Sequence, residues 1–178
     1  MRGTQHLHFG IVTTATVAGC MVLSGMAHPL EAVPLVVLGG IGSLLPDIDN
    51  TDSKLGRKHP FVSSFIEAQF GHRTITHAVL PWLVALVVCL FLPAWTLGLP
   101  LGVLGHLFLD AFTIHGVPFG IKKKKKNKDK KKNIHLLPKA MRCRSGSFVS
   151  ILYTFVSGAF SVVTIWIIFL AINAVKVM

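Results

Sequence analysis

Long apolar runs decide what this chain can become. Segments 8–27, 30–46, 77–97, 98–116 and 148–174 each reach or approach the length that crosses a bilayer, about 20 residues and roughly 17 at the short end. In hydrocarbon, backbone amides must find partners inside the protein, so spans are helices or closed barrels. These runs do not alternate apolar and polar residues as barrel strands do. The sequence therefore predicts an all-α polytopic membrane protein with about 4–5 transmembrane helices. A mean hydropathy of +0.63 with only 14% charged residues excludes an ordinary soluble domain. Segment 30–46 is the weakest span, because Pro34, Gly39, Gly40 and Gly42 are able to kink it or make it re-entrant.

The first run also invites comparison with a secretory leader. Arg2 gives a short positive start, and Gly25-Met26-Ala27 loosely resembles a small-residue cleavage site. The apolar stretch is long for such a leader, so the segment is expected to be retained. Cys20 and Cys89 sit inside apolar runs and Cys143 in a basic loop. Their scatter predicts neither a disulfide nor a thiolate metal site.

Four polar clusters interrupt the apolar chain: His6, Leu45-Pro46-Asp47-Ile48-Asp49, Gly71-His72-Arg73-Thr74-Ile75-Thr76-His77, and Gly105-His106-Leu107-Phe108-Leu109-Asp110. Ionisable groups in hydrocarbon cost roughly 2.5–3.5 kcal/mol each on insertion scales, so they are seldom kept for packing. The formal charge of +11 is concentrated in Lys122 to Lys132 and in the 50–76 loop, which carries Lys54, Arg57, Lys58 and Arg73. The positive-inside rule puts both loops in the cytoplasm, with the N-terminus cytoplasmic and the C-terminus outside. Two apolar hairpins then separate the loops, and all four clusters arrive at the same cytoplasmic face.

His106 and Asp110 are one helical turn apart on one face, so both are able to reach one metal. Asp47 and Asp49 follow Pro46, where the helix is expected to break into an extended D-x-D loop. His72 and His77 would point about 140° apart on one continuous helix. They converge if a helix starts between them, with Thr74 or Thr76 as its N-cap. Arg73 forks onto phosphate or carboxylate oxygens. His28 falls in the outer turn, and His59 and His135 are expected to face solvent. His115 is a reserve ligand, and only one of His6 and His8 is expected to point inward. Each motif alone is also satisfied by helix capping or a buried hydrogen bond; their convergence is what argues for one site.

The lysine run reads as a topology determinant that attracts anionic headgroups, so membrane lipids are the expected partners. No aromatic residues interleave it, and no specific nucleic-acid binding is expected.

Taken in order, His6-Leu7-His8-Phe9-Gly10, Leu44-Leu45-Pro46-Asp47-Ile48-Asp49, Phe70-Gly71-His72-Arg73-Thr74-Ile75-Thr76-His77 and Leu104-Gly105-His106-Leu107-Phe108-Leu109-Asp110-Ala111-Phe112-Thr113 resemble the YdjM-like family. These are bacterial inner-membrane proteins described as metal-dependent hydrolases. The resemblance covers roughly residues 3–120 and implies His6, Asp47, Asp49, His72, His77, His106 and Asp110 as site residues. The family is distantly similar to zinc-dependent phospholipases C and P1-type nucleases, which implies phosphoester hydrolysis.

The sequence thus divides into a membrane-embedded hydrolase-like core at 1–120, a basic cytoplasmic loop at 121–147 and a C-terminal transmembrane helix at 148–178. The expected cofactor is a divalent metal, zinc first, with manganese or iron as alternatives. His6, His72, His77, His106 and Asp110 are expected as ligands. Asp47 or Asp49 would bridge metals or act as general base, and Arg73 would bind the substrate anion. Two other readings are a metal or proton carrier and a non-catalytic partner-binding membrane protein. The sequence leaves the oligomeric state open.

Overall fold

The computed structural model describes residues 3–70, 73–120, 133–139, 142–143 and 147–177. His72 and Lys122 to Lys132 lie outside the described residues, so their expected roles are not addressed by the fold.

The described residues are helical, with only two isolated bridges, Thr113 to Cys143 and Val117 to Ile134. In chain order the helices are α1 (Gly3–Leu23), α2 (Pro29–Leu44), α3 (Lys54–Lys58), α4 (Pro60–Phe70), α5 (Val79–Cys89), α6 (Gly98–Ala111) and α7 (Phe148–Val177). Three spans are long and apolar enough to cross a membrane: Gly3–Leu23, Pro29–Asp49 and Val149–Ile167. The other apolar stretches are shorter, at Val79–Cys89 and Ala94–Asp110. The segment expected to span at 77–97 is thus an 11-residue helix followed by a tight turn. The α5–α6 hairpin still brings the chain back to the side it left.

His28, in the predicted outer turn, caps α2. Its Nδ1 accepts from the Leu30 amide at 3.3 Å, and Glu31 returns a bond to the His28 amide at 3.0 Å, a reciprocal capping box. The helix runs on through Pro34. Its glycines serve close packing. A β-carbon on Gly42 would collide with the Leu99 carbonyl, and one on Gly102 with the Gly39 carbonyl. On the other side, Gly10 of α1 meets Ser43, and Gly39 meets Thr14. Helices in lipid gain nothing from hiding apolar surface from one another, so contact at small residues is what holds them. This stripe presses α1, α2 and α6 into one tightly packed group.

The 50–76 region is more ordered than a loop, since it contains α3 and α4. Pro60 opens α4, a position where its missing amide is no loss. α5 begins at Val79, and its N-cap Ala78 has no capping side chain. Its first amides are satisfied from elsewhere: Val79 donates to the Pro118 carbonyl at 3.1 Å and Leu80 to that of Phe119 at 2.9 Å. The expected Thr74 or Thr76 cap is therefore replaced by backbone from the segment after α6.

Candidate metal centre

His6, Asp47, Asp49, Arg73, His77, His106 and Asp110 come together where α1, α2 and α6 meet the chain entering α5. His6, Asp49, His77, His106 and Asp110 are essentially fully buried. Side-chain exposure is higher only at Arg73, at 20%, and Asp47, at 22%.

The helix at Pro46 tightens where it was expected to break. Leu45–Asp49 forms a 3-10 turn continuous with α2. In that pitch each carbonyl bonds the amide three residues on. For Ser43 that residue is Pro46, which has no amide hydrogen. The Ser43 carbonyl instead accepts from Nδ1 of His106 at 2.7 Å. A carbonyl only accepts, so this bond places the ring proton on Nδ1 and leaves the Nε2 lone pair available. Nε2 has no hydrogen-bond partner among the described residues. It lies 3.8 Å from Asp47 Oδ1 and 3.9 Å from Asp110 Oδ2.

The 3-10 pitch also parts the two aspartates. Asp47 turns toward His106, whereas Oδ2 of Asp49 is enclosed by donors. The Arg73 amide reaches it at 2.8 Å, the Thr76 hydroxyl at 2.5 Å and Nδ1 of His77 at 3.2 Å. These contacts fix the loop and set the His77 ring, whose Nε2 faces Asp110 Oδ2 at 3.8 Å. Trp82 adds a bond from its indole to the Thr76 carbonyl at 3.0 Å.

Asp110 is the centre of the cluster. Oδ1 is 3.5 Å from Nε2 of His6, and Oδ2 accepts from Nη2 of Arg73 at 2.5 Å. Arg73 reaches it from a left-handed backbone, φ 58°, which a non-glycine residue seldom adopts. The His6 ring stacks on His106, with centroids 3.6 Å apart. His6 was expected just before the first span; it lies inside α1 and points inward, while His8, two residues on, is exposed.

Two donor sets, which share His106, are close enough to hold an ion: His6, His106 and Asp110, and Asp47, His77 and His106. In each, one atom per residue lies within 4.8 Å of the others. Ligands of a tetrahedral zinc, bonded at 2.0–2.2 Å, stand roughly 3.3–3.6 Å apart. The separations around His106 Nε2, 3.8 and 3.9 Å, are slightly wider and too long for hydrogen bonds, whereas His6 Nε2 and Asp110 Oδ1 at 3.5 Å already fall in the zinc range. Asp49 belongs to neither set.

The profile of the YdjM inner membrane protein family matches residues 1–177. The chain belongs to the YdjM family. Its similarity to the uncharacterized protein YvsG of Bacillus subtilis strain 168 is 34% identity over 120 residues, covering 66% of this chain and 71% of YvsG. To the inner membrane protein YdjM of Escherichia coli strain K12 it is 40% identical over 83 residues, 42% of either chain. The aligned part is therefore under half the length of YdjM itself. No solved structure matches. Family membership and the three apolar helices together make this a membrane protein.

Other expectations for this YdjM-family chain need revision. His115, the reserve ligand, is exposed and in neither donor set, and its carbonyl accepts from Asn133 at 2.7 Å. His135, expected in solvent, is half-buried beside Gly116, with Nδ1 3.3 Å from the Thr113 carbonyl. His59 is exposed as expected. Thr76, the Ser43 carbonyl and Trp82 were not anticipated as parts of the centre. The signal for Thr76 was its place directly before a buried histidine; a backbone carbonyl leaves none.

Proposed function

We propose that the protein is a membrane-bound metal-dependent hydrolase that cleaves a phosphoester, and that the site lies at the bilayer edge, where a lipid-linked substrate would reach it. One observation carries this reading. His106 is buried with its Nδ1 proton fixed on a carbonyl and its Nε2 lone pair turned, without a hydrogen-bond partner, toward two carboxylates. A structural histidine would be satisfied at both nitrogens.

His6, His106 and Asp110 would hold one ion, and His77 and Asp47 extend the set. Imidazole and carboxylate donors suit zinc, and manganese or iron as well. A divalent ion in such a site activates water at neutral pH and neutralises charge on a phosphoryl oxygen. Asp47, the more exposed aspartate, would either complete the ligand set or take a proton from the water that such an ion activates. Asp49 acts as a positioning residue, because its contacts hold His77 and the Arg73 backbone in place. Arg73 is exposed enough to exchange its contact with Asp110 for a substrate oxyanion. The site opens to the cytoplasm if the basic loops do, which puts the C-terminus outside. The lysine-rich loop then faces anionic headgroups.

A carrier would need polar groups along the whole crossing. The clustering of these residues at one end of the α1–α2–α6 group favours hydrolysis.

Elemental analysis of detergent-purified protein beside His106→Ala tests the centre. At least one zinc, manganese or iron per chain, lost in the variant, supports it, and turnover of a phosphoester panel then tests the reaction. No metal in either protein after anaerobic reconstitution would sink the proposal.

A further inference from the structure

α4 wears its polarity backwards for a helix in water. At about 100° per residue, Phe61, Val62, Phe65 and Ile66 fall within an arc of roughly 140° that also holds one polar residue, Gln69. Phe61 is 90% exposed, Phe65 63% and Val62 48%. Ser63 and Glu67, on the opposite side, face the protein. Ser63 is fully buried, and Glu67 accepts from the Thr51 hydroxyl at 3.3 Å. α4 packs on α3 and on the Leu45–Asp49 turn, at the end of the molecule that carries the metal centre.

The residues just before α4 have the complementary chemistry. Arg57 and Lys58 are exposed at the end of α3. With Leu44 and Leu55 they line a cavity of about 350 Å³. A cationic edge over an apolar floor, followed at once by an outward-facing aromatic helix, matches an anionic phospholipid in both its parts. An amphipathic helix with basic neighbours lies in the plane of the interface, its apolar face at the headgroup–acyl boundary.

We infer that α3 and α4 are an interfacial anchor for anionic phospholipid. Arg57 and Lys58 take the lipid phosphates, and Phe61, Val62 and Phe65 lie among the first acyl carbons. The anchor holds the centre from two directions. Leu44 leads straight into the turn bearing Asp47 and Asp49, and Phe70 ends the helix three residues before Arg73. This inference needs the membrane location but not the hydrolase reading.

The test uses the full chain in vesicles, with Cys20, Cys89 and Cys143 replaced by alanine and a nitroxide label at Phe65→Cys. A second label at Asp52→Cys, an exposed position, is the aqueous reference. Relaxation by oxygen reports lipid, and relaxation by a water-soluble nickel chelate reports water. In phosphatidylglycerol-rich vesicles, position 65 should respond to oxygen and position 52 to nickel. Arg57→Gln with Lys58→Gln should lower the lipid preference of position 65 by about five-fold per charge, and pure phosphatidylcholine should do the same to the parent chain. A nickel response at position 65, or shielding from both reagents by a covering protein, overturns the inference. So does an oxygen response indifferent to lipid charge and to the two glutamines. Phe61→Cys gives an independent reading if Phe65→Cys does not accumulate.

Discussion

Gly102 lies so close to the Gly39 carbonyl that no β-carbon fits between them. One turn further along α6 stands His106, bonded to the Ser43 carbonyl of the same facing helix. The close approach and the hydrogen bond belong to one interface, so what separates the helices also releases the ring.

Gly102→Ala is therefore expected to act at a distance from the cluster. The added methyl must push α2 and α6 apart, because the atom it meets is backbone. Overpacking of this kind costs about 1–3 kcal/mol. A lower thermal midpoint in detergent and reduced metal content are both expected. A variant with the parent's midpoint and metal content would show that the interface yields without disturbing the centre.

Asp49 and His106 should separate by severity. His106→Ala removes a ligand from both donor sets and is expected to abolish metal binding. Asp49→Asn keeps the shape but weakens the hold on His77, and loss of such outer support typically reduces affinity about 10–100-fold. Competition with a calibrated zinc chelator distinguishes the two. Equal loss in both variants would argue that Asp49 binds metal directly.

Arg73 supplies the guanidinium charge against buried Asp110. Arg73→Gly relaxes the left-handed backbone by about 1–2 kcal/mol, yet breaking a buried pair costs about 3–5 kcal/mol. The metal-free variant should therefore melt below the parent. Added zinc should raise its midpoint by more than it raises the parent's, because an ion replaces the lost charge. Equal shifts in the two proteins would mean that Asp110 does not take part in binding the ion.

The charge distribution predicts a C-terminus on the outer side. A periplasmic phosphatase reporter fused after Met178 should be active, and a cytoplasm-only fluorescent reporter dark. The reverse pattern would put the metal centre on the outer face and remove the case for a cytoplasmic substrate.

The cluster was legible because its members are chemically out of place. Asp110 and His106 announce themselves by their spacing on an apolar helix, and His6 and His77 by ending or opening apolar runs. What escaped the sequence was backbone. Pro46 marked a boundary correctly, but as a helix breaker, since a proline's effect on the carbonyl three residues earlier shows only once a neighbouring helix offers a donor. Gly39 and Gly42 looked like points of weakness because their partners, Gly102 and Leu99, lie some sixty residues away. α4 was hidden by a charged surrounding sequence, although Pro60 followed by Phe61 and Phe65 carried its signal.

At 1.5 Å per residue, α5 rises about 16 Å, against a hydrocarbon layer of about 30 Å. Its far end is the turn at Leu90, Phe91 and Leu92, with Phe91 86% exposed. Irregular backbone is not tolerated against lipid tails at mid-depth, so an α5 that stands upright in the bilayer is expected to draw the layer down to this turn. The protein would then sit in a dimple of its own making. Such mismatch sorts membrane proteins by bilayer thickness, and this one is expected to gather in the thinner patches of its membrane.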